Sequence, residues 1–319
     1  MNKDNEFTAY SSYERAFWNV IRNKEEDFSA FDPHLSVGYG IPLPQPNIEE
    51  FFKKLKEKDF FRRYATVVEI RAGRGHIWAI DSEEPATFQS AGDEYPLEEL
   101  RQLFNRKEID THKVVTLSRI HENFVLDENF DIEQYLPNHI ARRIGKAEED
   151  AFINGDGSKT PIGILDDENG AETGVISESS SAITYDEMIS LYFSLDKDYR
   201  SNAIWVMNDK TALQVRKLKD EDGNLLWNKD KDTIMGKKVV ISNYMPDIEA
   251  GKKCVAFGDF SYYWIINESN FTIKVLSNYY AAQQMVGYLS NFYLDGKLLR
   301  SEAIKVLKIK ETEETSSPE

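Results

Sequence analysis

Four carboxylates and three glycines crowd into EEDAFINGDGSKTPIGIL, residues 148–165. Three kinds of chemistry use such a stretch: calcium ligation, phosphate binding or a sharp chain reversal. A calcium loop of the EF-hand kind needs glycine at its sixth position and a bidentate glutamate at its twelfth. With Gly157 sixth the twelfth residue is Gly163, and with Gly155 sixth it is Pro161, so neither register closes a calcium shell. A phosphate cradle places its glycines after a strand and ahead of a helix whose amino-terminal amides face the anion. Here the glycines follow a helical pattern, and Glu148, Glu149, Asp150 and Asp156 add the wrong charge at a helix end that already repels anions. The reversal asks for less. Asn154, Gly155 and Gly157 tolerate positive φ, and Pro161 stops the helix from resuming. The spacing predicts a rigid corner built from Asn154, Gly155, Asp156, Gly157, Pro161 and Gly163.

The other reactive side chains form no constellation. His34, His76, His112, His121 and His139 show no HExxH or comparable metal spacing. Ser158 lacks the G-x-S-x-G elbow, and Cys254 lies in an apolar run where an inert core thiol is expected. No catalytic residue, metal or cofactor is predicted, and the chain reads as a protein that is not an enzyme.

The corner needs elements to hold it. From Asp131 to Ile153 the residues Ile132, Leu136, Ile140, Ile144, Ala147 and Ala151 recur at helical steps. They predict one helix about 30 Å long at roughly 1.5 Å per residue, with Pro137 in its first turn or at a kink. Upstream, a short helix is expected near 13–23, an extended path through Gly38, Gly40, Pro42, Pro44 and Pro46, and a helix over 47–63. In that last helix, FFKKLKEKDFFRR at 51–63 reads as an amphipathic element with a solvated basic face. Strands are expected at 64–71, 76–80 and 113–118, separated by a long acidic excursion with a short helix near 97–104. Beyond the corner, helices at 185–195 and 211–219 alternate with strands at 203–207, 237–242, 253–260, 262–267 and 271–276. The segments 279–293 and 303–310 are strand-like, and 311–319 reads as a disordered tail. The class is α+β.

A chain of 319 residues with 41% hydrophobic content buries a sizeable core. It has no run of some eighteen apolar residues and no apolar-centred leader, so neither membrane spanning nor export is expected. The single Cys254 excludes an internal disulfide and a thiolate zinc site. A net charge of −16 opposes nucleic-acid gripping as the main task.

In sequence order, several segments resemble the major capsid proteins of tailed bacteriophages. ARRIGKAEEDAFINGDGSKTPIGIL at 141–165 resembles the family's spine-helix end, its near-NGDG turn and its P-x-G-I exit. KVVTLSRIHENFVLDENFDIEQYL at 113–136 is similar to the strand and lead into that spine. WVMNDKTALQVRKLKDEDGNLLW at 205–227 resembles the W-x-x-N-x-x-T … L-K-D-x-x-G segment. MGKKVVISNYMP at 235–246 resembles G-x-P-V-x-x-S-x-x-M-P with Lys238 in place of proline, and VAFGDFSYYWII at 255–266 the GDF strand pair.

The resemblance implies a phage major-capsid fold. Residues 1–45 form an N-terminal arm, and 76–113 an extended loop that reaches over a neighbouring subunit. A peripheral domain takes in 46–75, 114–182 and 268–310 with the spine helix at 131–153, and an axial domain spans 183–267. It implies self-assembly into pentamers and hexamers of an icosahedral shell that encloses double-stranded DNA without sequence-specific binding. The shell is a virion capsid, built in the cytoplasm of a bacterial host, with separate scaffolding, portal and decoration proteins as further partners. Many relatives carry a scaffolding region ahead of the arm; here the arm begins near Met1, which implies a separate scaffold or none. Lys107 and Lys113 lie near the loop's return, but no matching asparagine and glutamate accompany them, so covalent cross-linking is not expected. The alternatives are the shell of an encapsulin-type compartment and, further off, a calcium-binding or hydrolytic enzyme.

Overall fold

The computed structural model describes residues 3–22, 24, 40–70, 74–80, 104–228, 231–269 and 271–312. The apolar stripe becomes a helix over Ile132–Asn154. The Asp131 carboxylate caps it by accepting the Gln134 N–H at 3.0 Å, which satisfies one of the orphan donors of the first turn. Pro137 lies past that turn, inside the helix, where it removes one backbone bond without ending the element. Ile132, Leu136, Ile140 and Ile144 are buried as the stripe requires, but Glu148 and Phe152 then follow on the buried face. The expected stripe stepped to Ala147 and Ala151, which the structure leaves exposed and half-buried. Steps of four from Ile144 reach Glu148, and the charge is buried there because it has a partner, described below.

A six-stranded sheet lies against the spine. It contains β1 (Ile41–Pro42), β2 (Thr66–Ile70), β5 (His112–His121), β12 (Tyr263–Glu268), β13 (Thr272–Leu276) and β14 (Met285–Leu298). β14 is its centre: ten of its residues pair with β5, while its other edge takes β13 and then β12. A two-stranded ribbon, β3 (Arg74–Ile80) with β4 (Phe104–Asp110), stands apart from both sheets. The seven-stranded sheet runs in the order β6 (Glu172–Ile176), β15 (Ile304–Lys308), β11 (Lys253–Gly258), β7 (Ile204–Met207), β10 (Lys237–Ile241), β9 (Thr233–Ile234) and β8 (Trp227–Asn228). Sheet membership cuts across the boundaries expected from sequence: β6 and β15 join the seven-stranded sheet and β12 the six-stranded one. Backbone pairing decides this, and pairing partners leave no periodicity to read.

The N-terminal segment is more regular than expected. A helix spans Lys3–Ile21, and Phe17, Trp18, Val20 and Ile21 enter the core around the spine. Tyr13 Oη donates to the Pro42 carbonyl at 2.7 Å and Tyr288 Oη to that of Ile21 at 2.8 Å. The single helix expected over 47–63 is interrupted. It runs from Gln45 to Lys58, breaks at the extended Asp59, and a separate turn covers Phe61–Tyr64. The tyrosine-rich stretch expected as strand begins with helical turns over 277–283 before β14 starts. The short helix expected near 97–104 lies outside the described residues except for Phe104, which opens β4.

A corner at the end of the spine helix

At the end of the spine helix the chain doubles back on itself through backbone bonds. The Gly155 N–H closes the last turn on the Ala151 carbonyl at 2.8 Å. The returning chain then bonds back, Gly163 N–H to Gly155 O at 2.9 Å and Ile164 N–H to Phe152 O at 2.8 Å. Asn154 ends the helix and Gly155 has φ −65°, so neither uses the positive φ expected of them. Among the corner residues only Gly157, at φ +74°, does. Gly155 is needed for space: a Cβ there would lie 2.0 Å from the Pro161 carbonyl oxygen, and one on Gly163 would lie 2.4 Å from that of Ile153. The two strands of the corner touch where a methyl group has no room.

Polar groups complete it. The Asp156 carboxylate accepts the Ser158 N–H at 2.9 Å, the largest cause holding its pKa below the usual carboxylate value. Asn154 Nδ2 donates to Asp150 Oδ1 at 2.9 Å and to the Tyr244 carbonyl at 3.0 Å, tying the corner to the turn after β10. Lys253, buried on β11, donates to the Leu165 and Asp166 carbonyls at 2.9 and 3.2 Å. Its ammonium also pairs with Asp167 at 2.8 Å.

The acidic run ahead of the corner is only partly solvated: Asp150 is exposed, Glu149 half-buried and Glu148 buried. Glu148 takes a bidentate pair from Arg62, Nε at 2.6 Å and Nη2 at 2.7 Å, and Arg62 Nη2 also donates to Asn267 Oδ1 on β12 at 3.0 Å. Both partners are almost completely buried, with side-chain exposures of 3% for Arg62 and 0% for Glu148. Arg62 further lies 5.5 Å from the centre of the Phe52 ring, an added cation–π contact. The basic face predicted for 51–63 is therefore solvated at its lysines and buried at Arg62. Next along the spine, Glu149 accepts from Ser242 Oγ at 2.6 Å. Successive carboxylates thus fasten one helix end to both sheets.

Asp59 completes the buried cluster, accepting the Phe61 N–H at 2.8 Å. Burial, and then the Glu148 charge, hold its pKa well above the usual carboxylate value. A carboxyl whose pKa is raised by folding binds its proton more tightly in the folded state. The contribution of Asp59 to stability is therefore fully present below the unfolded value of about 3.9 and is lost as pH rises through the folded pKa. Asp59→Asn keeps the acceptor for Phe61 and removes the charge. Its unfolding midpoint in urea should gain on the parent's as pH rises from 4 and then level off. A difference that stays constant with pH would contradict the assignment.

Sequence reasoning missed Arg62, Glu148, Asn267 and Lys253. Only Glu148 left a signal, an acid at the next step of an apolar stripe. Cys254 is buried as expected, its thiol pushed up to about 12 by burial. Among the described residues no group of three or more His, Cys, Asp or Glu side chains could hold a metal ion, and no helix is long and apolar enough to cross a membrane.

A spine helix ending in a glycine corner, two sheets fastened to that end and a projecting ribbon define a capsid-type shell subunit. The sequence matches the phage capsid family over residues 39–309, and the chain belongs to that family. It is a structural protein of a virion capsid. The capsid subunit of an empty GTA particle is 30% identical, with a TM-score of 0.68 over 78% of this chain and 89% of that one. The satellite phage P4 procapsid shares the fold at 14% identity, with a TM-score of 0.57 over 91% of this chain and 99% of that one. So does the holo-SrpI encapsulin complex from Synechococcus elongatus, at 15% identity and a TM-score of 0.54, over 82% and 90%. No curated protein matches the sequence.

Proposed function

We propose that this chain is a major capsid protein that closes into pentamers and hexamers of an icosahedral shell around the double-stranded DNA of a tailed phage or prophage. The observation that carries this reading is the family match over 39–309 together with 30% identity to a GTA capsid. In this reading the six-stranded sheet and spine form the peripheral body. The seven-stranded sheet forms the axial body, the ribbon is the base of a loop that reaches a neighbouring subunit, and the corner at 154–163 supports a subunit contact. The chain has no catalytic role. Head-to-tail contacts close rings when the rotation fits, and many modest contacts add through effective concentration, so no single one need exceed the roughly 8 kcal/mol of a micromolar pair. Assembly takes place in the host cytoplasm, with a separate scaffold or none, and with portal and decoration proteins as further chains.

A charge of −16 per subunit suits a passive container, since a lining that repels phosphate does not adsorb the packed DNA. Light scattering and negative-stain microscopy of purified protein should reveal closed shells; a strictly monomeric protein, even with a scaffold supplied, would sink the reading. Assembled shells should bind DNA weakly at physiological salt. The encapsulin-type compartment is the second reading, favoured by the shared fold, and a cargo enzyme co-purifying in place of DNA would select it.

A further inference from the structure

We infer that Asp295 is the positioning residue that fixes the direction of the β3–β4 ribbon, and thereby the geometry in which subunits close. The inference rests on the reading of the ribbon as part of a subunit contact. The ribbon's strands pair with one another from Arg74 and Asp110 to Ile80 and Phe104, and neither pairs with a strand of either sheet. A two-stranded ribbon is marginal on its own and takes its direction from whatever holds its root.

That root meets a carboxylate with no solvent exposure, Asp295 on β14. Asp295 Oδ2 accepts the Asp110 N–H at 3.1 Å, and Oδ1 accepts the Gly296 N–H at 2.8 Å. Lys297 Nζ lies 3.3 Å from Oδ2 and also donates to the Glu108 carbonyl. His112 Nε2 lies 3.9 Å from Oδ1. One buried charge therefore holds residue 110 directly and residue 108 through Lys297. Charge-assisted bonds of this kind are short and directional.

The ribbon makes this fastening consequential. Seven residues per strand at about 3.3 Å each extend roughly 23 Å. A 10° change at the root then moves the far end by about 4 Å, more than the depth of a hydrogen bond. The neighbouring residue extends the linkage: Gly296, on the opposite pleat of β14, accepts the Ile162 N–H of the corner at 3.2 Å. Ribbon and corner are pinned to consecutive residues of the same strand.

Hydrogen exchange on the unassembled subunit tests the clamp, and microscopy of the assembled product tests its consequence. Asp295→Asn should lower protection at 106–112 about tenfold or more, with the spine amides at 140–150 unchanged, and should yield open or mixed-size particles. Lys297→Met, which leaves the buried carboxylate in place, should show the same pattern more weakly and keeps the test valid if Asp295→Asn fails to fold. Unchanged root protection in Lys297→Met and in a folded Asp295→Asn overturns the clamp. Lost root protection with uniform wild-type shells overturns the link to assembly, and with it the reading of the ribbon as a contact.

Discussion

Glu148→Gln should lower the unfolding free energy of the subunit by about 3–5 kcal/mol, the loss typical of removing one partner from a buried ion pair. Glutamine keeps the length and one acceptor of Glu148, but removes the charge and turns the second acceptor into an N–H donor facing Arg62. Arg62 would be left fully buried without its carboxylate, with the glutamine and Asn267 carbonyls as its side-chain hydrogen-bond acceptors among those described. Arg62→Met should cost about as much, because the Glu148 carboxylate is then the stranded charge. The double variant Arg62→Met with Glu148→Leu should lose less than either single change, since a matched apolar pair of similar volume incurs no desolvation cost. Urea denaturation of the three variants measures all of this. Single-variant losses below about 1 kcal/mol would mean that water reaches the pair and that the burial assigned to it is wrong.

Gly155→Val should abolish soluble shells. Its Cβ would sit 2.0 Å from the Pro161 carbonyl and 2.5 Å from that of Ala151. Both obstacles are backbone, so no rotamer change relieves them, and the cost should meet or exceed the roughly 3 kcal/mol upper end of ordinary overpacking. Gly223→Ala is the control for a Cβ added where there is room. Unlike Gly155, Gly223 has a positive φ, +84°, but nothing lies within 4 Å of the Cβ it would gain. That change should cost about 1 kcal/mol and leave assembly intact. Normal shells from Gly155→Val would show that the corner relaxes more easily than its contacts indicate. Particle yield by sedimentation separates the two outcomes.

These two sites differ in how visible they were beforehand. The spine helix was legible because four isoleucine and leucine positions repeat along it, and its observed bounds fall one residue from the expected ones. The corner was legible as a reversal because glycines and a proline follow a helical stripe. The reason for Gly155 was not: its dihedral is ordinary, and the need for it comes from a carbonyl six residues further on. The Arg62 pair was hidden by a separation of 86 residues, and the lysines around Arg62 gave its segment the look of a surface. Membership of β6 and β15 in the seven-stranded sheet was hidden for the same reason, because local patterns record which face is apolar and not which strand lies alongside.

The place of β14 at the centre of its sheet also sets a timetable. The strand is made late, yet β5, β12 and β13 close on it, and Tyr288 holds the end of the first helix from 267 residues away. Bacterial and eukaryotic ribosomes add about 5–20 residues per second, so roughly 13–50 s pass between the synthesis of Ile21 and that of Tyr288. During this interval Phe17, Trp18 and the apolar face of the spine lack their covering strand. The nascent chain depends on other protection for that time, and the subunit becomes competent to associate only after β14 has left the ribosome.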